Sequence, residues 1–397
     1  MIAEGKRGAE RLFCRAIPLS SKFSKNKRMF GFGQSTYLGI DFGTSSIKAI
    51  ELREKGGIIE LVNFAQVDLT GIQGKGVGPG ENYDAVLVQY LKALLQRMNP
   101  GTTEAYLAMP AFIGLISLVD FPEMEENELQ EAVQYEAKRF IPASLEDIAL
   151  SWDIIGTSVS STDGSVRQEV LVVAALKDEV MRYQKYAEKS GLEMKFLELE
   201  TFSLARAAAG NQQELSLLID IGSRATNLLL MEQGIVRVSR NLNIGGQDLT
   251  RTLMETLDIT LERAEVLKRS GKDFLNEPEA KIIFSALEII IEEGGRMIAS
   301  HAEKYPEHIC REIILSGGSA ALTGLSQYFE KAFGRPTRKA NPWGRIQYDA
   351  KYKQDIEELG TSFSVAIGLA LAGIDGTQKV VTPKKKSSLV AMLNKKI

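Results

Sequence analysis

Tyr37-Leu38-Gly39-Ile40-Asp41-Phe42-Gly43-Thr44-Ser45-Ser46-Ile47-Lys48 is the stretch that decides the fold. Apolar residues lead to an acid, then a glycine, then a run of hydroxyl residues. A second apolar run follows from Ile47 to Leu52. That order reads as strand, tight turn, strand. The turn presents backbone N–H groups and hydroxyls that can cradle phosphate. Asp41 would repel a phosphate in direct contact, so its place makes sense when a hydrated divalent cation stands between them. One Asp-x-Gly by itself is also an ordinary hairpin turn.

The chain repeats the pattern. Leu217-Leu218-Ile219-Asp220-Ile221-Gly222-Ser223-Arg224 is again an apolar run, an acid and a glycine. Thr226 to Met231 forms the returning strand, and Glu232-Gln233-Gly234 turns into a third, Ile235 to Leu242. The first copy has the same third strand, Ile58 to Leu69, after Gly56-Gly57. Two similar halves, each aiming such a hairpin at one cleft, form a far more specific signal than one.

A chain of 397 residues implies two or more domains. No apolar run approaches the ~20 residues that span a bilayer. Cys14 and Cys310 are too few for a disulfide framework and suit the cytoplasm. No zinc-type cluster exists in the sequence, and His301 and His308, near one helix end, read as surface residues.

The net charge of −3 hides a division: residues 1–28 and 376–397 each carry +6, which leaves −15 on residues 29–375. An acidic body argues against nucleic acid as the main ligand. The basic ends read as solvated. Peripheral contact of the C-terminal tail with an anionic membrane is the sharper alternative, because Lys384-Lys385-Lys386 precedes a short amphipathic run to Ile397.

Residues 1–28 lack periodicity and read as a disordered extension. The spacing then divides the chain into a first half (29–110), an inserted subdomain (111–195), a second half (196–360), a helix returning to the hinge (361–375) and a basic tail (376–397). Gly71 to Gly80 lacks the Gly-Lys-Ser/Thr ending of a P-loop and reads as a connector. A helix over Tyr83 to Met98 and a strand over Ala105 to Met109 follow. The inserted subdomain reads as strand Phe112 to Val119, helix Glu125 to Phe140, and strands Leu150 to Ile155 and Val166 to Leu176. After it come helix Lys177 to Ser190, strand Met194 to Leu199 and helix Thr201 to Ala209.

In the second half, Gly245 and Gly246 form a tight turn before a helix, where N–H groups can meet a ligand. Glu265 and Lys268, on helix Leu261 to Arg269, are by themselves an ordinary surface pair. Gly294-Gly295 inside helix Ile282 to Ser300 implies close packing or a bend. Ile313 to Ser316 is a buried strand that runs into Gly317-Gly318-Ser319. Ala366, Gly368 and Ala370 suit helix Phe363 to Leu371 to a close crossing.

In this order the pieces resemble the actin, sugar-kinase and DnaK-type ATPase superfamily. Asp41, Gly43, Thr44, Ser45 and Ser46 match its first phosphate motif, with Lys48 at the spacing of actin's phosphate-contacting lysine. Asp220, Gly222 and Ser223 match the second, Gly317, Gly318 and Ser319 the adenosine motif, and Glu265 and Lys268 the ribose-and-base pair. The inserted subdomain resembles FtsA and, more closely, the type IV pilus PilM family. Gly39 to Lys48, Phe121-Pro122-Glu123-Met124 and Tyr135 to Pro142 carry that likeness. Arg224 is bulkier than the residue many relatives place there.

The resemblance implies an α/β actin-like ATPase fold, with two related halves around a nucleotide cleft and an inserted strand-helix-strand-strand subdomain. It implies ATP and Mg2+, the metal held through water by Asp41 and Asp220, with weak or no hydrolysis. It further implies a cytoplasmic adaptor that holds the N-terminal peptide of a PilN-like inner-membrane protein and meets the pilus motor ATPases; self-association is a further option. Tyr135, Arg139 and Phe140 are the candidate peptide contacts, on a strand–helix edge suited to an extended chain. The alternatives are an FtsA-like division scaffold and, in another class, a sugar or acid kinase.

Overall fold

The two hairpins form because each acid–glycine turn is flanked by runs that alternate between two apolar surfaces. The computed structural model describes residues 14–15, 35–69, 81–140, 144–159, 164–209, 214–277 and 281–377. The expectations for the connector Gly71 to Gly80, the tail beyond Thr377 and most of residues 1–28 lie outside the described residues. Within the expected extension, Cys14–Arg15 (β1) is described, and it pairs antiparallel with Gln66 and Val67.

Thr36–Phe42 (β2), Ser46–Lys55 (β3) and Ile58–Asp68 (β4) make the first antiparallel meander. Glu81–Met98 (α1) covers it, and Glu104–Met109 (β5) joins β2 in parallel. The chain then leaves this sheet. Gly114–Pro122 (β6), Glu126–Phe140 (α2), Ile148–Val159 (β7) and Val166–Leu176 (β8) build a separate three-stranded sheet in the order β6-β8-β7. Phe121, Leu129, Val133, Val170 and Val172 bury the helix on one face. Residues Ala111–Ile113 form a short 3-10 turn, so the first strand starts later than Phe112.

Lys177–Lys189 (α3) and Glu193–Leu199 (β9) return to the first half, where β9 pairs in parallel with β5. The inserted sheet therefore closes at Leu176 rather than near 195. Sequence periodicity could not reveal this, because strand partners are a matter of topology.

Glu200–Ala209 (α4) leads to the second half. Ser216–Ile221 (β10), Thr226–Glu232 (β11) and Ile235–Leu242 (β12) repeat the meander. Gly246–Leu257 (α5), Leu261–Lys268 (α6) and Ser285–Lys304 (α7) follow, then Glu312–Ser316 (β13), Leu325–Phe333 (α8) and Thr337–Lys339 (β14). The sheet order is β12-β11-β10-β13-β14. Gly294 lets α7 approach Leu217 and Phe333.

Past this sheet the chain goes home. Ile346–Gln347 (β15) pairs with β4, and Lys353–Leu359 (α9) and Ser364–Thr377 (α10) close the first half. Trp343, Ile346, Tyr352 and Ile356 share a core with Tyr37, Ile50 and Phe64. The second half thus ends before Trp343, not at 360. The helical stretch Ala350–Gly376 is long and apolar enough by composition to cross a membrane. Two-thirds of its most apolar 18-residue window is buried inside the protein, as expected of a core helix.

The halves meet where α4 crosses α10. A Cβ on Gly368 would lie 2.0 Å from the Ser203 carbonyl oxygen, and one on Gly39 would lie 2.2 Å from that of Ala366. Backbones this close leave no room for a side chain. Gly368→Val is expected to lower unfolding free energy by about 2 kcal/mol or more, as overpacking of a closed core does. Urea titration of the folded variant would measure it.

Candidate functional site

The two Asp-x-Gly turns face each other across the cleft. Asp41 is the penultimate residue of β2 and Asp220 that of β10, and both are buried. Lys48, one strand over and paired in register with Asp41, places its Nζ 3.8 Å from Asp41 Oδ2. Burial raises the Asp41 carboxyl against the pull of Lys48. Burial also pushes Asp220 up to about 6, opposed by Ser316 and Lys48.

Sequence reading missed a third acid. Glu200 opens α4 at the C-terminal end of β9, the edge from which parallel strands address ligands. It accepts from the Ala111 N–H and the Asn227 amide, each at 3.0 Å. Asn241 donates in turn to Asn227 at 2.7 Å. Burial first, then the charge of Asp41, pushes Glu200 up to about 7. Its position at a strand end was the only available signal, and Glu198 two residues earlier blurred it. Glu198 instead pairs with Arg206, whose Nη1 lies 2.7 Å away and also donates to the Gly368 carbonyl.

The glycine turns of the second half collect at one point. A Cβ on Gly317, whose φ is +85°, would meet the Ile221 carbonyl oxygen at 2.4 Å. One on Gly246 would meet Ser319 Oγ at 2.4 Å, and one on Gly245 the Ser223 backbone at 2.7 Å. The second phosphate turn, the Gly245-Gly246 turn and the adenosine turn are therefore mutually packed, and at Gly245 and Gly317, which meet backbone, only glycine fits. The Gly246 N–H donates to the Gly222 carbonyl at 2.8 Å, and the Gly245 N–H to Asp248 Oδ2 at 2.9 Å. The expected role of Gly245 and Gly246 as donors to a ligand is thus corrected: the Gly246 N–H braces the phosphate turn, and the Gly245 N–H is taken up by the cap of its own helix. Gly222 likewise gives its N–H to the Ala225 carbonyl at 2.9 Å.

Lys268 lies beside them. Its ammonium has three protons, and three acceptors surround it: the Gly246 carbonyl at 3.0 Å, Thr250 Oγ1 at 2.7 Å and Glu265 Oε2 at 2.7 Å. Burial raises Glu265, but Lys268, Thr250 and Arg269 together outweigh it and hold the carboxyl at about 2. This pair ties α6 to the turn before α5. Gly43 closes the first turn, where a Cβ would lie 3.0 Å from the Ser46 carbonyl. Thr44 and Ser45 follow at its tip, half-buried. Gly318 has open space beside it. Among the described residues no three His, Cys, Asp or Glu gather closely enough to hold a metal ion directly.

The family profile of the type IV pilus assembly protein PilM matches residues 39–374. The chain belongs to that family. It is similar to a solved PilM–PilN type IV pilus biogenesis complex, with 25% identity and a TM-score of 0.70, over 86% of this chain and 99% of that one. The cell division protein FtsA of Neisseria meningitidis is 21% identical, over 78% of this chain and 84% of its own length. The ethanolamine utilization protein EutJ of Carboxydothermus hydrogenoformans shares the fold, at 18% identity and a TM-score of 0.50, over 86% and 90% of the two chains. The actin-like α/β architecture read from the paired hairpins is thereby established.

The family's inserted block presents Tyr135 at 71% exposure, so it is not core. Arg139 is exposed and bonded to Glu136 at 2.8 Å, while the Phe140 side chain lies outside the described residues. Strand β6 pairs with β8 alone, so β6 and β7 are the two outer strands of this sheet among the described residues, and β6 lies close to β12 of the second half.

The raised Glu200 carboxyl makes a pH prediction. The folded state binds its proton more tightly than the unfolded chain does, so stability falls as pH rises from about 4.5 toward about 7. Glu200→Gln is expected to match the wild type near pH 4 and to exceed it at pH 8 by on the order of 1 kcal/mol. Chemical denaturation at both pH values would measure the difference.

Proposed function

We propose that this chain is a cytoplasmic, ATP-binding adaptor of type IV pilus assembly. It takes the cytoplasmic N-terminal peptide of a PilN-like inner-membrane protein on its inserted block and links that platform to motor ATPases. The observation that carries the nucleotide reading is the opposition of Asp41 and Asp220 from matching turns of two halves, with Lys48 between them. Membership of the PilM family and likeness to a PilM–PilN complex support the partner.

The residues fit a magnesium ion held through water. Among the described residues Asp41, Asp220 and Glu200 have one lysine, Lys48, beside them, so the cleft has negative charge to match a hard cation. Bound there, magnesium would neutralise phosphate charge. Asp41 and Asp220 orient its water shell, Lys48 meets a phosphate oxygen, and the turn from Gly43 to Ser45 donates from backbone and hydroxyls. Ser223 belongs to the second phosphate turn. Gly317, Gly318 and Ser319 flank the nucleoside, which the Glu265–Lys268 brace supports from behind. Glu200, whose carboxyl exchanges a proton near neutral pH, is the candidate to orient a water.

Asp41→Asn is expected to lower magnesium–ATP affinity about tenfold or more while the melting temperature stays close to wild type, since a charge-assisted contact is lost. Equal ATP affinity in calorimetry would refute the assignment. Tyr135→Ala is expected to weaken binding of the synthetic PilN N-terminal peptide by about 1–2 kcal/mol, the loss of an exposed aromatic anchor. Fluorescence anisotropy with a labelled peptide would read this. An unchanged dissociation constant would move the groove away from α2.

A further inference from the structure

The inserted sheet has two faces, and only one is covered by α2. On the other, Ile116 and Val173 sit opposite each other in register and pack against the core of the first half, with Ala149 and Ala175 beside them. Four residues along both strands, on the same face, the paired residues are Asp120 and Glu169. Like charges directly opposite on neighbouring strands repel. Each of these acids is met by a cation of the second half. Arg237 Nη1 lies 3.0 Å from Glu169 Oε2, and Lys304 Nζ lies 3.3 Å from Asp120 Oδ2. The sheet therefore bridges the halves, with an apolar end on the first and a charged end on the second.

The contact is built rather than incidental. Leu230 pairs with Val238 and Met231 with Val236, so Arg237 is the extra residue of a β-bulge. A bulge re-aims a side chain, and here it directs the guanidinium at the inserted block. A second bulge faces it: Ile154 pairs with Val170 and Gly156 with Glu169, which leaves Ile155 over. A Cβ on Gly156 would lie 3.1 Å from Glu169 Oε2, so this glycine clears the seat of the carboxylate. Glu232 holds the arginine from its own side, at 3.2 Å from Nη2. The three charged side chains are only 11–13% exposed. His308 Nδ1 lies 3.0 Å from the other oxygen of Glu232, and His301, expected on the surface, is buried against Tyr305 at the same helix end.

The hairpin β11–β12 has the second phosphate turn at one end and the Arg237 bulge at the other. A ligand that pulls the two phosphate turns together fixes this hairpin against the inserted block. Directional ion contacts fit one angle between the halves, whereas apolar packing tolerates sliding. We propose that Arg237 and Lys304 form a latch that engages the inserted block when nucleotide closes the cleft, so that cleft occupancy and the geometry of the partner surface are linked. For the identity of the nucleotide, this rests on the adaptor reading above. Linkage makes the effect reciprocal: loss of the latch weakens nucleotide binding, although neither residue lies in the cleft.

The test places spin labels on the full-length chain at Gln130→Cys in α2 and Ser300→Cys in α7, in a Cys14→Ser background; Cys310 is buried. With magnesium–ATP the wild-type distance distribution is expected to be narrow. In Arg237→Ala/Lys304→Ala it broadens, and ATP affinity falls roughly fivefold or more. Glu169→Gln, which keeps the shape of the seat, gives a milder form of both changes and serves if the double variant does not fold. Exchanging the outer pair, Asp120→Lys with Lys304→Asp, restores the narrow distribution. Unchanged width in the variants overturns the latch, and so does a broadened distribution with unchanged affinity. If wild-type protein does not bind ATP, the adaptor reading fails separately. The latch, which engages as nucleotide closes the cleft, is overturned in that case too.

Discussion

The crossing of α4 and α10 holds the rest of the structure in place. Gly368 lets the two backbones touch at the Ser203 carbonyl, and Gly39 lets β2 touch α10 at Ala366. Around this point Ala108, Leu204, Leu218, Leu229, Ile314, Val365 and Leu369 form a core that belongs to both halves. Arg206 adds a half-buried fastening, bonded at once to Glu198 and to the Gly368 carbonyl. A larger side chain at position 368 would part the helices, and the two phosphate turns would part with them. The spacing of Asp41 and Asp220 is thus set by a glycine outside either motif.

That spacing explains the electrostatics of the cleft. Carboxyls taken out of water prefer to be neutral unless a cation is near. Lys48 is one cation among three acids, so Glu200 and Asp220 hold their protons toward neutral pH. A site in this condition is poised for positive charge. The glycine turns of the second half show the complementary constraint. Their N–H groups are largely committed to one another, which fixes the shape of the phosphate turn before any ligand arrives.

The inserted block extends the same logic outward. It is rooted in the first half by apolar packing and touches the second through ion pairs placed by two bulges. An adaptor needs its partner surface joined to its nucleotide cleft by something that responds to angle. A sheet held by oil on one side and by charge on the other has that property.

The sequence by itself determined the paired hairpins, the acids and glycines of the cleft, the inserted block and the family. These depend on local spacing, and a turn that needs glycine or a strand that alternates can be read from its neighbours alone. Only the tertiary structure decided where β9 and β15 pair, that Glu200 is a third acid of the cleft, that the N–H groups of Gly245 and Gly246 are taken up within the protein, and that Arg237 crosses to Glu169. Most of these join residues far apart in the chain, as Glu104 pairs with Glu193, Ile59 with Ile346, Asn227 with Glu200 and Arg237 with Glu169. Nothing in the residues adjoining either partner encodes such a contact; it follows from how the sheets are stacked.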